Sequence, residues 1–174
     1  MPLVLSGAGA ITGLTSVPSS GLQLADANMP AGSVLQVVQY RFTSTFSTSS
    51  TSFVDVTAFE ATITPTSSSN KVLVQVSVEG FHSANIQDEF RILRNGSDPA
   101  SISGGRFWFS TGYYGSGTTS NGGTVFLDSP SSTSALTYKL QMRSRQGSTG
   151  YIGYDWNNDS PSGCHTLTLM EIAG

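Results

Sequence analysis

The strongest constraint on the fold of this chain is the alternation of residue types between Lys71 and Phe81. Val72, Val74, Val76 and Val78 occupy alternate positions, and the positions between them are mostly polar. Successive side chains of a β-strand point to opposite faces, so this pattern predicts a strand with one buried face and one solvent-facing face. Such a strand needs partner strands and a second layer that covers the valines.

Other segments of similar length also read as strands, and Gly, Pro, Asn and Ser separate them. They are Val34 to Phe42, Ser52 to Phe59, Glu89 to Leu93, Arg106 to Ser110, Gly123 to Leu127, Leu136 to Arg143, Tyr151 to Tyr154 and His165 to Ile172. In the Ser52 segment, alternation predicts Val54 and Val56 on one face, with Phe53 and Phe59 on the other. No amphipathic helix of about ten residues is visible. The pattern predicts an all-β fold, an antiparallel β-sandwich or jelly roll.

Residues 1–33 differ in texture, because isolated hydrophobic residues alternate there with Gly-, Ser- and Pro-rich stretches. This pattern matches neither a helix nor a self-sufficient sheet. We therefore expect an extended N-terminal arm over residues 1–33 that is held against a partner, followed by a β head domain over residues 34–174.

Charge and cysteine content argue against several kinds of partner. Charged residues make up only 11% of the chain, and the net charge is −3. No diffuse positive field is therefore expected to collect nucleic acid or an anionic membrane. No apolar run approaches the roughly 20 residues that span a bilayer, so we expect no membrane insertion. Cys164 is the single cysteine, so no disulfide within the chain is expected. Cys164 and the adjacent His165 do not make up a metal-ligand pattern, and we expect neither a metal nor a cofactor.

The C-terminal strand segment is apolar on both faces. Leu167 and Leu169 lie on one side, and Met170 and Ile172 lie on the other. A strand that is apolar on both faces is usually covered on both faces. This predicts association between subunits, with these four residues and Trp108 as candidates for a trimer interface.

Three aromatic residues lie in Gly-, Ser- and Asn-rich stretches, namely Tyr113, Tyr114 and Trp156. Tyr and Trp on loops supply rigid stacking surfaces, which suit glycan or protein recognition. They are the candidates for receptor binding, and packing within the fold is the alternative.

Several stretches together resemble tail-fibre and other virion surface proteins of marine bacteriophages, cyanophages among them. They are Met29 to Val38 (MPAGSVLQVV), Pro65 to Val76 (PTSSSNKVLVQV), Leu93 to Gly96 (LRNG), Leu127 to Pro130 (LDSP), Thr133 to Leu140 (TSALTYKL) and Thr168 to Gly174 (TLMEIAG). The resemblance covers about residues 29 to 174, and its specificity comes from the order of these motifs.

The resemblance implies a non-enzymatic, homotrimeric jelly-roll head on the exterior of a phage particle. Such a fibre or spike attaches to a host surface glycan or protein, and residues 1–33 would dock on other virion proteins. The chain is short for a fibre, so a capsid decoration protein is the alternative.

A polysaccharide hydrolase is a weaker alternative, since glycoside cleavage needs a pair of carboxyl groups about 5 to 10 Å apart. The acidic candidates are Asp55, Glu60, Glu79, Asp88, Glu89, Asp128, Asp155 and Asp159.

Overall fold

The computed structural model describes residues 29–82, 86–99, 108–113, 118–154 and 163–174. Most of the predicted arm, residues 1–28, lies outside these ranges, as do the predicted binding residues Tyr114 and Trp156.

Ten strands and no helix make up the regular structure of the described residues, which confirms the predicted all-β class. The strands are β1 (Val34–Phe42), β2 (Phe46–Thr48), β3 (Val54–Ile63), β4 (Lys71–His82), β5 (Ile86–Arg94), β6 (Phe109–Tyr113), β7 (Thr118–Asp128), β8 (Leu136–Ser144), β9 (Gly150–Ile152) and β10 (His165–Ile172). The short β2 was not predicted, and β6 starts and ends three residues later than expected. No helix long and apolar enough to cross a membrane occurs in the described ranges.

The strands form two antiparallel sheets. Sheet A has the order β1-β10-β4-β7, because β10 and β7 pair with the same residues of β4 from opposite sides. The short β9 and β2 continue sheet A beyond the end of β10. Sheet B has the order β3-β8-β5-β6.

The pairing of the eight longer strands is nested along the chain. β1 pairs with β10, β3 with β8, β4 with β7, and β5 with β6. An antiparallel ribbon folded across two sheets gives this pattern, and it is the topology of a jelly roll. The predicted jelly-roll sandwich is thereby confirmed.

The core lies between the two sheets. The four alternating valines of β4 are almost fully buried, as the sequence predicted, and they pack with Leu167 and Leu169 of β10. Sheet B contributes Tyr138, Leu140 and Met142 from β8, together with Phe90 and Ile92 from β5. Phe42 of sheet A stacks on Phe59 of sheet B with ring centroids 5.0 Å apart, so this pair joins the two layers.

The predicted alternation in β3 is wrong, because a bulge interrupts the strand. The register with β8 shifts between Asp55 and Glu60, and Ala58 has a φ of 62°. Five steps on β3 from Asp55 to Glu60 lie opposite two steps on β8, so β3 has three extra residues. Because this number is odd, Phe59 turns to the same inward face as Val56, and both side chains are buried.

Both ends of the described chain lie at one end of the sandwich. The N–H of Gly32 donates to the carbonyl of Ala173, and the N–H of Ala173 donates to the carbonyl of Ser33. These bonds extend the β1–β10 ladder by one step, so residues 32 and 33 are bonded to the head. The chain therefore enters the sandwich from residues 1–28 beside its own C-terminus.

Candidate interaction surface

Four large hydrophobic side chains of the described residues are exposed, and all four lie on the outward face of sheet A. Val34 and Val37 on β1 are 50% and 57% exposed, and Val125 and Leu127 on β7 are 58% and 48% exposed. We call the outward side of β1, β10, β4 and β7 the A face. Its apolar members are Val34, Val37, Met170, Ile172, Leu73, Val125 and Leu127.

The strand register aligns part of this set into a continuous apolar row. Val37 lies opposite Met170, Met170 opposite Leu73, and Leu73 opposite Leu127. Directly opposite side chains on adjacent strands touch, so the row crosses the whole sheet. Met170 and Leu73 are half-buried because neighbours flank them on both sides, whereas the two ends of the row stand free.

The rest of the A face is almost uncharged. The next row across the sheet is Gln39, Thr168, Gln75 and Val125, and Gln39 Nε2 donates to Thr168 Oγ1 at 2.9 Å. Charge enters the four central rows only at Arg41 and Lys71, which lie toward opposite ends of the face. Glu79 lies on the outward side of β4 beyond these rows. A face with so few charges offers little repulsion between copies.

The outward face of sheet B, the B face, is a network of ion pairs. Lys139 Nζ lies 3.1 Å from Asp55 Oδ2 and 3.3 Å from Glu60 Oε2. Gln141 also donates to Asp55 at 2.7 Å. That bond from Gln141, with the help of Lys139 and against a smaller effect of burial, lowers the pKa of Asp55. Hydrogen bonds to Asp55 and Glu60 raise the pKa of Lys139.

A second set of charges continues this network. Arg143 is 2.6 Å from the buried carboxylate of Glu89. The guanidinium groups of Arg91 and Arg143 lie 4.3 and 4.6 Å from the ring centroid of Phe53. Paired charges of both signs are typical of a solvated surface, and such pairs stabilise a fold only weakly. The two faces of the sandwich therefore differ in polarity. The B face has the ion pairs of a solvent-exposed surface, whereas the A face has the exposed apolar side chains of a contact surface.

The structure divides the predicted interface residues between two environments. Leu167 and Leu169 are fully buried in the core of their own chain, so their assignment to a subunit interface is wrong. The reason is that β10 is a central strand whose leucine side faces sheet B. Met170 and Ile172 lie on the A face and are half-buried. Trp108 packs edge-on against Phe126 of β7 with centroids 4.3 Å apart, on the inner side of the sandwich.

Residues that the sequence did not single out complete the A face. Val34, Val37, Leu73, Val125 and Leu127 were assigned to strands but not to an interface. The signal was present at Leu73, an apolar residue on the polar side of the β4 alternation. This signal indicates a contact surface only together with the strand order, which places Val37, Met170 and Leu127 on the same row as Leu73.

Asp128 joins the two sheets through a buried polar cluster. Tyr138 donates its hydroxyl to Asp128 Oδ2 at 2.6 Å, and Arg94 Nη1 lies 2.6 Å from both carboxylate oxygens. Asp128 ends β7 of sheet A, whereas the other two residues belong to sheet B. Burial, reinforced by the bond to Asp128, raises the pKa of Tyr138 and keeps its hydroxyl a donor. These contacts link sheet A to sheet B, so the cluster is assigned a structural role.

Glu171 holds the loop after β3 against the end of sheet A. Its carboxylate is fully buried and accepts hydrogen bonds from Gln36 Nε2, Asn70 Nδ2, and both the backbone N–H and the hydroxyl of Thr66. Burial acts to raise the pKa of Glu171, but these donors together outweigh it, and the pKa lies below its ordinary value.

Four of the acidic residues that the hydrolase hypothesis names form ion pairs within the fold. Asp55 and Glu60 share Lys139, Glu89 is held by Arg143, and Asp128 is held by Arg94. Asp155 and Asp159 lie outside the described residues.

Cys164 is exposed, whereas His165 is buried and accepts the backbone N–H of Glu79 at its Nδ1. Within the described ranges no group of three His, Cys, Asp or Glu residues could hold a metal ion.

The strand register shows which described residues lie at each end of the sandwich. Residues 29–33 and the C-terminal residues lie near the start of β4, where Ile172 pairs with Lys71. At the other end of β4, His82 pairs with Thr118 and Gly150. Tyr113 ends β6 and pairs through its backbone with Ile86, so it also lies at this second end. His82, Ile86, Tyr113 and Thr118 thus lie at the end opposite to Met29.

The fold defines the chain as a jelly-roll β-sandwich. No protein-family model matches the sequence, and no curated protein matches it. Because one fold hosts many functions, the argument for function rests on the two faces and the two ends.

Proposed function

We propose that this chain is a non-enzymatic structural subunit on the exterior of a bacteriophage particle. In this proposal three copies associate into a jelly-roll head of a fibre or spike, and the head attaches to the host surface. Residues 1–28 connect the head to other virion proteins.

The observation that carries the proposal is the A face. Its apolar row would stay in contact with water in an isolated chain, whereas the B face carries the ion pairs of a solvated surface. Large exposed apolar patches on soluble proteins mark contact surfaces, and most soluble oligomers are closed assemblies of one chain. A structural subunit needs such a surface, and an isolated enzyme domain does not.

The polarity of the sandwich supports attachment at both ends. The chain enters at Met29 beside Gly174, whereas Tyr113 lies at the other end. A head with this arrangement can be anchored through residues 1–28 and can present the end that carries Tyr113 to a host, whereas Tyr114 and Trp156 lie outside the described residues. The resemblance to phage surface proteins fits the same arrangement.

Immunogold electron microscopy of the phage that encodes the chain tests the location. Antibodies raised against the purified protein should label the tail, on the outside of intact particles. Label on the capsid would replace the fibre proposal with a decoration protein. Absence of label from purified particles, with the protein present in the infected cell, would reject a virion role.

A host-adsorption assay tests the predicted binding residues. Changing Tyr113, Tyr114 and Trp156 together to Ala should weaken attachment and leave assembly unchanged. Exposed positions usually alter stability by less than about 0.5 kcal/mol, whereas a buried aromatic costs about 3 to 5 kcal/mol. Thr57→Ala, an exposed change on the B face, is the control. A large loss of melting temperature, or undiminished adsorption, would contradict the assignment.

A further inference from the structure

We infer that the contact between copies is formed by opposite edges of the A face, with Val37 on β1 of one copy against Leu127 on β7 of the next. The ligand of this surface is therefore a second copy of the chain, seated head-to-tail around a threefold axis. The inference rests on the proposed trimer and specifies which residues build it.

The first observation is the position of the exposed hydrophobic side chains. Val34 and Val37 lie on β1, and Val125 and Leu127 lie on β7. Among the four long strands of sheet A these two are outermost, and β2 forms a further short edge beyond β9, so the most exposed apolar groups stand at the two sides of the long-stranded part of the sheet. Two different patches on opposite sides of one subunit produce a head-to-tail contact, and such a contact closes into a ring when the rotation between neighbouring copies divides a full turn.

The second observation is the free edge of β7, which pairs with β4 alone among the strands that the structure describes. Proteins usually protect edge strands with charge, Pro, bulges or short length. β1 has a register shift and Arg41, β3 has the bulge at Ala58, and β6 has five residues. β7 has eleven residues in unbroken register with β4 and contains no Lys, Arg or Pro. Its one acidic residue, Asp128, points inward to Tyr138.

The dimensions of sheet A fit a threefold arrangement. Four strands at about 4.8 Å spacing make a side of roughly 19 Å, and a triangle of that side has its centre about 5.5 Å from each side. Packed sheets lie about 10 Å apart, so the side chains of each sheet fill about 5 Å. Three A faces around one axis would therefore enclose an interior that Met170 and Leu73 can fill.

The directions of β1 and β7, and the positions of Val37 and Leu127 along the strand axis, also agree with a contact between β1 of one copy and β7 of the next. Sheet A has an even number of longer strands in antiparallel order, so β1 and β7 run in opposite directions. A neighbouring β1 beside β7 then continues the antiparallel alternation. Rotation about an axis along the strands keeps each residue at its level, and Val37 and Leu127 already share one row. A face-to-face dimer would leave the β7 edge uncovered.

The absence of strong charge from the A face favours another copy over a charged partner. Arg41 and Lys71 lie on different rows from Val37 and Leu127. A partner recognised by charge would need a matching field on this surface, as the B face has.

A charge exchange tests the contact in the full-length protein. Val37→Glu alone and Leu127→Lys alone should each raise the dissociation constant of the trimer about tenfold or more in sedimentation velocity. The double variant should recover much of that loss. The two positions are three strand spacings apart in one chain, about 14 Å, so recovery reports a contact between copies. Thr62→Glu, on an exposed edge position of the B face, is the matched control and should not change association.

Cross-linking tests the geometry directly. In a Cys164→Ser background, which removes the exposed native thiol, chains with Val37→Cys are co-expressed with chains that carry Leu127→Cys. A short bifunctional maleimide should link unlike chains and leave each single variant mostly unlinked. The doubly substituted chain should give covalent trimers, and the Thr62→Cys/Ser110→Cys control on the B face should not. Links between two Val37→Cys chains would show a twofold contact and overturn the inference.

The outcomes separate this inference from the proposed function. A stable trimer that tolerates both charged substitutions would overturn the edge contact and leave the virion role intact. A monomeric wild-type protein would overturn the edge contact and the trimer together. Dissociation with recovery in the double variant, but no gold label on particles, would retain the contact and reject the virion role. A fall in melting temperature without dissociation would show that the chain covers its own A face.

Discussion

Leu169→Ala and Met170→Ala place the same type of truncation on the two sides of one strand. Leu169 is fully buried against sheet B, whereas Met170 lies half-buried on the A face. Removing three methyl or methylene groups from Leu169 loses roughly 2.4 kcal/mol at about 0.8 kcal/mol per group. The cavity left behind adds to this, so we expect a total loss of about 3 to 5 kcal/mol in the free energy of unfolding.

Met170→Ala should act mainly on association. Its side chain is covered by Val37 and Leu73 within the chain, so truncation should cost the single subunit less than about 1.5 kcal/mol. In the trimer the same side chain would face the axis, and its loss should weaken assembly. Urea denaturation at several subunit concentrations isolates the first effect, because the association part of the stability changes with concentration and the part that belongs to the single subunit does not. Sedimentation velocity measures the second effect.

Two results would refute this reasoning. Equal destabilisation by the two variants, with assembly unchanged, would mean that the A face is covered within its own chain. A small effect of Leu169→Ala would mean that the leucine side of β10 is not the core side. Thr166→Ala is the control for the strand itself, since Thr166 is half-buried on the A face two rows from the apolar row.

Three further predictions concern polar contacts and one close approach. Tyr138→Phe removes a donor to Asp128 and should cost about 1.5 to 3 kcal/mol in urea denaturation, as expected for a bond to a charged group. Glu171→Gln should destabilise the protein at pH 7. The stabilisation by Glu171 is present above its ordinary pKa of 4.5 and is lost as the pH falls through the lowered pKa, so unfolding curves of variant and wild type should converge below pH 4. Gly123→Ala should lower the melting temperature, because its Cβ would run into the carbonyl oxygen of Val76. Wild-type stability in any of these variants would contradict the corresponding contact.

The features predicted correctly from sequence are those fixed by neighbouring residues. The valines of β4 predicted both the strand and its buried side, because alternation is a local property. Gly and Asn were among the residue types expected to separate the strands, and Asn95 and Gly96 directly after β5 have positive φ, 47° and 83°. The even spacing of such segments was enough to favour a sandwich or jelly roll over other folds.

The features that sequence did not predict depend on pairing between distant segments. β3 carries its bulge because Asp55 pairs with Gln141 and Glu60 pairs with Lys139, which leaves extra residues on one strand. The three residues of β2 are too few for a periodic pattern, and they form a strand because Phe46 pairs with Ile152.

The two sides of β10 show why the site was only partly predicted. Leu167 and Leu169 on one side and Met170 and Ile172 on the other are similarly apolar, so alternation alone cannot tell which pair faces the core. The choice follows from which residues lie opposite on sheet B, and this is a property of the whole fold. The sequence therefore indicated that both sides need cover, but it could not tell which side faces the core of the chain.

The low charge of the chain has a specific distribution on this fold. Lys and Arg number 8 and Asp and Glu number 11, which makes 19 charged residues. Asp55, Glu60, Glu89, Arg91, Lys139, Arg143 and Arg145 belong to the network on the B face, and Arg94, Asp128 and Glu171 are in clusters within or at the ends of the sandwich. The central rows of the A face retain only Arg41 and Lys71. A uniform shortage of charge would have left both faces alike, so the contrast between them points to a surface that is kept neutral for contact. An apolar row that ends on β1 and β7 fits the proposed association, in which the next copy would cover each end of the row.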